Sequence, residues 1–236
     1  MRVSAVIVAA GAGERIGGEP KQFRPLGGRP MLAWSCAAFA GHPAVDAVVV
    51  VLPAELADRP PAWLSEFDAR IAAGGATRRA SVLEGLRALD GTDGVVLVHD
   101  AARPFVSADL IARLALEGAA GPVIPTLPLA DAIKRMRTRR GDPEDVVETT
   151  LDRERLRAAQ TPQAFPLELI RRLHEAASAD GAEAADDAVL CELAGVSVRT
   201  IPGEPEALKV TRPVDLEIAE WLVASGRVSW PGTRGG

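Results

Sequence analysis

The chain has 236 residues, of which 47% are hydrophobic, so it is long and apolar enough to bury the core of an α/β protein. Its formal net charge of −5 argues against a general nucleic-acid or membrane-surface binder, because either would present a basic surface. Two cysteines without metal or redox spacing, three dispersed histidines and no apolar run near ~20 residues argue against a disulfide scaffold, a zinc site and a membrane span.

The first predicted strand, 5–9, leads into a loop of small residues that also carries two cations. Gly11 and Gly13 leave backbone N–H groups uncovered by side chains, so a phosphate group can approach them closely. Arg15 and Lys21 add full positive charge to the same loop. The loop therefore indicates a site that binds a polyphosphate.

Two well-known phosphate-binding loops do not match this stretch. The P-loop motif requires Lys directly after its second glycine, but Glu19 follows Gly18. The dinucleotide-binding motif requires its third glycine at the position of Ile16. The alternative interpretation is a tight connection between a strand and a helix that binds no ligand, and the two cations in the loop argue against it.

Apolar strand-like runs alternate with stretches of helical periodicity along the rest of the chain. The further predicted strands are 47–52, 70–73, 95–98, 122–126 and 196–201. The predicted helices are 31–40, 54–67, 79–89, 108–116 and 166–177, with two more that begin near Asp186 and Asp215. This alternation predicts a Rossmann-like, mostly parallel sheet with helices on both faces. Ligands bind beyond the carboxyl ends of such strands, so the residues that follow each strand are site candidates.

Two later strand ends carry such candidates. The third strand is followed by Gly74 and Gly75, where the backbone can approach a flat ring, and Ser81 lies on the first turns of the next helix. The fourth strand is followed by Asp100, with Arg103 three residues later. A carboxylate at this position can hold a ribose hydroxyl or a hydrated divalent cation. A structural ion pair between Asp100 and Arg103 is an equally good alternative.

Three other polar residues are interpreted as structural. His99 has no Ser or Cys nucleophile pattern around it, so we expect it to be packed or hydrogen-bonded. Asp186 and Asp187 stand where a helix begins, and we expect both carboxylates to cap that helix and to interact with its dipole.

From Asp131 onwards the pattern changes to two short polar strands around a Gly-Asp-Pro turn, which predicts a β-hairpin arm over about 131–155. An arm this polar cannot bury a core alone, so we expect it to pack on a second subunit; a solvated insertion is the alternative. We expect one domain over 1–225 and a fraying tail over 226–236. The chain starts directly with a strand, which leaves no room for a signal peptide, and we expect a cytoplasmic protein.

Seven segments in register resemble one family, the 2-C-methyl-D-erythritol 4-phosphate cytidylyltransferases of the non-mevalonate isoprenoid pathway. The segments are AAGAGERIGGEPKQF, GGATRRASVLEGL, VHDAARPFV, DAIKR, LDRERLRAAQTPQAF, ADDAVL and IPGEPEALKVTRPVDL. The resemblance covers nearly the whole chain. It implies transfer of a cytidylyl group from CTP to the sugar-alcohol phosphate, with release of pyrophosphate. It also implies Mg²⁺, which we expect to be held mainly through the CTP phosphates with few protein ligands and no assigned metal-binding residue, and a homodimer in which one subunit's arm helps complete the other's site.

The resemblance assigns roles to individual residues. The pair that stabilises the transition state falls on Arg15 and Lys21. The residues that position the acceptor phosphate fall on Lys209 and on Arg153, the latter supplied by the partner subunit. The cytidine-binding elements are small residues and one hydroxyl, namely Ala9, Ala10, Gly11, Gly75 and Ser81. The segment near ribose and acceptor contains Asp100 and Arg103.

The sequence departs from the family pattern at three places. Ala76 stands where many relatives carry an acidic residue, so base contacts there must come from backbone. Ala185 replaces a threonine and removes one hydroxyl near the acceptor, and the loop from Arg15 to Lys21 is one residue shorter than in some relatives. A sister cytidylyltransferase that acts on ribitol 5-phosphate or another sugar phosphate therefore stays an alternative. A non-catalytic nucleotide-binding protein is a second alternative, against which the convergent cations argue.

Overall fold

The computed structural model describes residues 1–11, 20–137, 146–180 and 184–231, without the side chains of 179 and 180. The strands are β1 Val3–Val8, β2 Pro25–Leu26, β3 Arg29–Pro30, β4 Ala47–Leu52, β5 Arg70–Ala73, β6 Val95–Asp100, β7 Val123–Pro128, β8 Lys134–Arg137, β9 Val146–Thr150, β10 Arg157–Ala159, β11 Gln163–Pro166 and β12 Arg199–Pro202. The α-helices are α1 Met31–Ala40, α2 Ala54–Ala57, α3 Arg78–Arg87, α4 Ala108–Glu117, α5 Leu167–Asp180, α6 Ala188–Leu193 and α7 Pro213–Ala224. None of the helices in these ranges has the length and apolarity needed to cross a bilayer.

An eight-stranded sheet has the order β10-β7-β11-β6-β1-β4-β5, with β12 paired to β7. The strands β6, β1, β4 and β5 run parallel to their neighbours in this series, and β12 is parallel to β7. The predicted mostly parallel sheet is therefore confirmed. Two antiparallel strands, β10 and β11, were not predicted, because their short runs of three and four residues carry too weak a pattern to indicate a strand.

Side chains of β1 alternate between two helical layers, as a strand buried on both faces requires. Ala5 and Ile7 join the cluster that holds α1 and α4, whereas Val6 joins the cluster that holds α3, α5 and α6. Helix α3 lies very close to the sheet at Gly85, where an added Cβ would approach the Val6 Cγ1 atom to 2.4 Å. Helices therefore cover both faces, as predicted, and the carboxyl ends of the central strands stay open.

The predicted helix over 54–67 is wrong in its middle. The chain forms the one-turn helix α2 and then a separate 3-10 helix at Ala62–Glu66. Pro60 and Pro61 separate them, because proline lacks the N–H that a continuing helix needs and disfavours helical backbone in the residue before it.

The predicted hairpin arm is confirmed by the antiparallel pairing of β8 with β9, which form a two-stranded sheet of their own. The predicted Gly-Asp-Pro turn falls within 138–145 and lies outside the described residues. Both limbs of the arm are exposed, including the apolar side chains of Met136, Val146 and Val147. The described limbs therefore add little buried core to the chain that carries them.

The expected fraying of 226–236 is wrong for 226–231. Trp230 packs edge-on against Trp34 of α1 with ring centroids 5.1 Å apart, and the Arg29 guanidinium lies 4.1 Å from its ring centroid. Val228 packs against the same cluster. The prediction weighed the small polar residues of this segment and overlooked its two apolar anchors. Residues 232–236 lie outside the described residues.

Candidate functional site

A cleft of about 560 Å³ opens at the carboxyl ends of β1, β5 and β6. Eight of the predicted site residues line it together: Ala9, Ala10, Gly11, Lys21, Gly75, Ser81, Asp100 and Lys209. The fold therefore brings to one edge of the sheet residues that are separated by up to two hundred positions in the chain. Gly13 and Arg15, which were also predicted to belong to the site, lie outside the described residues.

The end of β1 is held by a buried amide. Gln22 Nε2 donates to the carbonyl oxygen of Ala9 at 2.7 Å and to that of Gly11 at 3.0 Å. Because Gln22 directly follows Lys21, these bonds also fix the start of the segment that carries the lysine. The Lys21 ammonium donates to the Val210 carbonyl oxygen at 3.1 Å, beside Lys209. Both lysines thus reach the same cleft from opposite ends of the chain.

The turn after β5 lies very close to β1. An added Cβ on Gly74 would come within 2.3 Å of the Ala10 Cβ, and one on Gly75 within 2.6 Å of the Ala80 Cβ. Glycine is therefore required at both positions by close approach rather than by an unusual φ. Ser81 donates to the carbonyl oxygens of Thr77 and Gly75 at 2.9 and 3.3 Å, which ties the turn to the start of α3. The result is a narrow slot walled by backbone and small side chains.

Asp100, at the end of β6, is bound by two cations. Arg78 Nε donates to Asp100 Oδ1 at 2.9 Å, and Lys209 Nζ donates to Oδ2 at 2.7 Å. Arg78 also donates through Nη2 to Asp187 Oδ2 at 2.8 Å, and His174 Nε2 lies 3.1 Å from Asp187 Oδ1. A line of polar contacts therefore runs from the buried His174 to Lys209 at the cleft.

Asp100, Asp187 and Arg78 stay charged at neutral pH. Burial by itself would raise the pKa of Asp100, but Arg78 and Lys209 outweigh burial and hold that pKa below its ordinary value. The pKa of Asp187 is likewise lowered, because Arg78 and His174 outweigh complete burial. Burial would lower the pKa of Arg78, and the two carboxylates raise it instead. The line therefore combines two cations and two carboxylates, so its fixed charges largely cancel.

Arg78 and Asp187 were missed as site residues. Asp186 does cap α6, since its Oδ1 accepts from the Val189 N–H at 3.2 Å. Asp187 does not: the predicted cap is wrong, because its side chain turns to Arg78 and is 1% exposed. One signal was available in the sequence, because an arginine in the first turn of a helix opposes the helix dipole and so indicates a specific anionic partner.

Two predicted site residues do not line the cleft. Arg103 donates to the carbonyl oxygens of Ala207 and Ala159 at 2.8 and 3.3 Å, and no ion pair joins it to Asp100 among the described contacts. Arg153 is exposed and donates to the Ala130 carbonyl oxygen near the base of the arm. In this chain, therefore, Arg103 connects the end of β10 to the loop that contains Ala207, and Arg153 lies apart from the cleft that holds Lys21 and Lys209.

His99 is buried and hydrogen-bonded, as expected. Its Nε2 lies 2.9 Å from the Arg103 carbonyl oxygen, which can only accept, so Nε2 carries the proton. Its Nδ1 lies 3.2 Å from Thr161 Oγ1, a hydroxyl that also accepts from the Asp100 N–H at 3.0 Å. Burial lowers the pKa of His99 to about 4. His99 therefore supports the backbone behind Asp100 in its neutral form.

We expect the free energy of unfolding to fall by about 2 kcal/mol between pH 7 and pH 5 because of His99. The unfolded chain takes up a proton on this side chain near its ordinary pKa of 6.5, whereas the folded chain resists it down to about 4. The stabilisation is thus complete above the unfolded pKa and is lost as the pH falls. Urea unfolding of the wild type and His99→Gln at both pH values measures this, and an equal fall in both proteins would contradict it.

Comparison with known proteins identifies the family to which the chain belongs. The family model described as 2-C-methyl-D-erythritol 4-phosphate cytidylyltransferase matches residues 3–225. A relative of that name from Streptomyces coelicolor is 43% identical over 239 residues, covering 97% of this chain and 87% of the relative. The crystal structure of a 2-C-methyl-D-erythritol 4-phosphate cytidylyltransferase from Thermus thermophilus superposes with a TM-score of 0.78 at 39% identity, covering 97% of this chain and 100% of that one. The crystal structure of a 4-diphosphocytidyl-2C-methyl-D-erythritol synthase from Anaerococcus prevotii superposes with a TM-score of 0.80 at 28% identity, covering 93% of this chain and 95% of that one. This chain therefore belongs to the 2-C-methyl-D-erythritol 4-phosphate cytidylyltransferase family.

Proposed function

We propose that this chain transfers a cytidylyl group from CTP to 2-C-methyl-D-erythritol 4-phosphate, forming 4-diphosphocytidyl-2-C-methyl-D-erythritol and pyrophosphate. The observation that carries the proposal is the meeting of Lys21 and Lys209 with a backbone-walled slot in one cleft of a chain of this family.

The reaction requires two anions to approach each other. A phosphate oxygen of the acceptor attacks the α-phosphorus of CTP, and the bond from that phosphorus to the oxygen bridging to the β-phosphate breaks, so pyrophosphate leaves. The acceptor itself is the nucleophile, and no side chain needs to form a covalent intermediate. Catalysis then depends mainly on positioning and on fixed positive charge near the developing negative charge.

The cations of the cleft suit this task. Lys21, together with Arg15, would face the α-phosphate of CTP. Lys209 would hold the acceptor phosphate as a compact charge, and Arg153 of a second subunit would grip the same phosphate with two hydrogen bonds. The ammonium of Lys209 uses one donor on Asp100, which leaves two donors for a phosphate.

The slot favours a small base. Gly74 lets the turn after β5 lie against Ala10, Gly75 lies against the start of α3, and Ala9 lines the cleft at the end of β1. Because the walls are mostly backbone, the base would be recognised by N–H and C=O groups, and Ala76 adds no polar side chain. A purine would clash with these walls.

Mg²⁺ would be held mainly through the triphosphate oxygens. Within the described ranges no cluster of three or more His, Cys, Asp or Glu side chains could hold a metal ion. The carboxylate lining the described part of the cleft is Asp100, and both of its oxygens already bind cations. This donor set fits an ion that keeps its waters and substrate phosphates as ligands, which is usual for Mg²⁺. When bound, the ion would neutralise phosphate charge and orient the triphosphate.

We also propose a cytoplasmic homodimer in which the arm completes the partner's site. Arg153 lies near the base of the arm and apart from its own chain's cleft, and the arm exposes apolar side chains at Met136, Val146 and Val147. Both cysteines, Cys36 and Cys191, are free and buried, which agrees with a reducing compartment.

A pyrophosphate-release assay with CTP, Mg²⁺ and a panel of acceptors tests the proposed reaction. We expect release with 2-C-methyl-D-erythritol 4-phosphate and little release with ribitol 5-phosphate, other sugar phosphates or no acceptor. A preference for ribitol 5-phosphate would favour the sister activity that Ala185 keeps open. No release with any acceptor would support a non-catalytic binder.

Nucleotide selectivity is a separate prediction from the slot. With the preferred acceptor, we expect kcat/KM for ATP to be at least about 100-fold below that for CTP, because the proposed slot, walled by Ala9, Ala10 and Gly75, would accept a pyrimidine and exclude the larger purine ring. UTP, which has a pyrimidine of the same size, serves as the control for size alone. Equal rates with CTP and ATP would refute a size-selective slot.

A further inference from the structure

Arg78 lies at the first position of α3 and lines the cleft. Its guanidinium connects two carboxylates that come from distant parts of the chain. Nε donates to Asp100 Oδ1 at 2.9 Å, and Nη2 donates to Asp187 Oδ2 at 2.8 Å. The same Asp100 carboxylate accepts from Lys209 through its other oxygen at 2.7 Å.

We propose that Arg78 is a positioning residue of the transfer reaction, which holds the Asp100 carboxylate in the orientation that presents Lys209 to the acceptor phosphate. Asp187 is the buried anchor that fixes Arg78. The inference rests on the proposed function, because it takes Lys209 as the group that binds the acceptor.

The anchor side of this arrangement is rigid. The side chains of Asp187 and His174 are each 1% exposed and lie 3.1 Å apart. The Arg78 side chain is 26% exposed, so its inner end is enclosed while its outer part reaches the cleft. A planar guanidinium bound at two different nitrogens cannot rotate without breaking a bond to a buried carboxylate. Arg78 is therefore fixed in one orientation.

The cleft side needs such a support. Lys209 has a long flexible stem, and its side chain is 41% exposed, so its ammonium would otherwise sample many positions. The backbone next to it is already held, since the Val210 N–H donates to the Ala102 carbonyl oxygen at 2.8 Å. Asp100 fixes the end of the side chain, and Arg78 fixes Asp100. The acceptor phosphate would then meet an ammonium that is already in place, which lowers the entropic cost of binding.

Lysine cannot replace Arg78 in this role. An ammonium is a single point of charge on a flexible stem, so it can neutralise one carboxylate but cannot hold two in a fixed plane. Arg78→Lys therefore keeps the charge and removes the geometry. The double variant Arg78→Gln/Asp187→Asn removes both charges together and so avoids an unpaired buried carboxylate. Arg87→Gln is the matched control, because Arg87 is an exposed arginine of the same helix that pairs with Glu84.

The experiment measures the Kd of 2-C-methyl-D-erythritol 4-phosphate by calorimetry, and steady-state kinetics, in the wild type, Arg78→Lys, Lys209→Ala and the combination of the two. We expect Arg78→Lys to weaken acceptor binding and raise its KM roughly 10-fold, with KM for CTP changed much less. In the Lys209→Ala background the same change should cost almost nothing further, because Arg78 acts through Lys209. The Arg78→Gln/Asp187→Asn variant should show the same loss of acceptor binding as Arg78→Lys. The Arg87→Gln control should bind the acceptor as the wild type does.

The outcomes separate this inference from the proposed function. Additive losses of acceptor affinity in the Arg78→Lys/Lys209→Ala variant would overturn the positioning role even in an active enzyme. An unchanged Kd for the acceptor in Arg78→Lys would overturn it as well. Equal losses toward CTP and acceptor would assign Arg78 to general stability and would also overturn it. If the wild type binds the acceptor but releases no pyrophosphate, the proposed function fails. The acceptor Kd values of the wild type, the two single variants and their combination still decide the role of Arg78.

Discussion

Replacement of Lys21 by alanine is expected to lower kcat by about 100- to 1000-fold, while the protein stays folded. The Lys21 ammonium lies at the cleft and donates to the Val210 carbonyl oxygen, beside Lys209. Negative charge grows on the equatorial oxygens of the α-phosphorus during transfer, and loss of one fixed donor commonly costs ~3–4 kcal/mol of barrier. Steady-state kinetics with saturating CTP and acceptor measures the loss, and urea unfolding checks the fold.

A matched control removes a cation near the amino end of β1, at the end of the strands opposite to the cleft. Arg2 precedes β1 and lies 3.9 Å from the exposed Asp90, so Arg2→Ala deletes a charge of the same sign far from the carboxyl end of that strand. We expect near-normal turnover in Arg2→Ala. Near-normal turnover in Lys21→Ala would remove Lys21 from the proposed role. Unfolding of Lys21→Ala would instead assign it a structural one.

Mixing two inactive variants is expected to restore activity, because Arg153 is proposed to act across a dimer. Lys21→Ala and Arg153→Ala should each lower kcat by about 100-fold or more alone. In a mixed dimer, one site carries both defects and the other combines an intact Lys21 with an intact Arg153 from the other subunit. Random reassortment of equal amounts then yields about a quarter of wild-type activity, since half of the dimers are mixed and each has one intact site.

The same mixture gives a different result if Arg153 serves its own chain. Each site in a mixed dimer would then carry one defect, and activity would stay at the level of the single variants. Co-purification of two differently tagged wild-type preparations after mixing is the control for subunit exchange, and size-exclusion chromatography establishes the oligomeric state. A monomer in that measurement would contradict the proposed dimer directly.

Local patterns were sufficient to predict most of the sheet and the edge that carries the cleft. The bounds of β4 and β5 were predicted to the residue, because β-branched and apolar runs end at Pro53 and at Gly74. Helix α4 followed from its apolar periodicity, whereas α1 is apolar and buried on nearly every face. Because ligands bind at the carboxyl ends of parallel strands, Lys21, Asp100 and Lys209 could then be predicted to lie at one site.

What the sequence could not predict depends on long-range pairing. Arg78 and Asp187 are 109 positions apart, and nothing local distinguishes Asp187 from its neighbour Asp186, which does cap the helix. Arg103 was assigned by its closeness to Asp100 in the chain, but its guanidinium binds the backbone carbonyls of Ala159 and Ala207, both more than 50 positions away. Strand β11 pairs mainly with β6, a partner that its own four residues do not indicate.

The packing of Trp230 has a practical consequence for recombinant versions of this protein. Its cluster includes Trp34, which donates to the Leu26 carbonyl oxygen at 2.9 Å, and Val210, the residue that follows Lys209. Truncation of the chain after α7 would remove Trp230 and expose Trp34. It would also loosen the segment around Val210, which follows Lys209 and accepts a hydrogen bond from Lys21. An affinity tag at this end should therefore be attached beyond residue 231, through a flexible spacer that does not disturb the packing of Trp230.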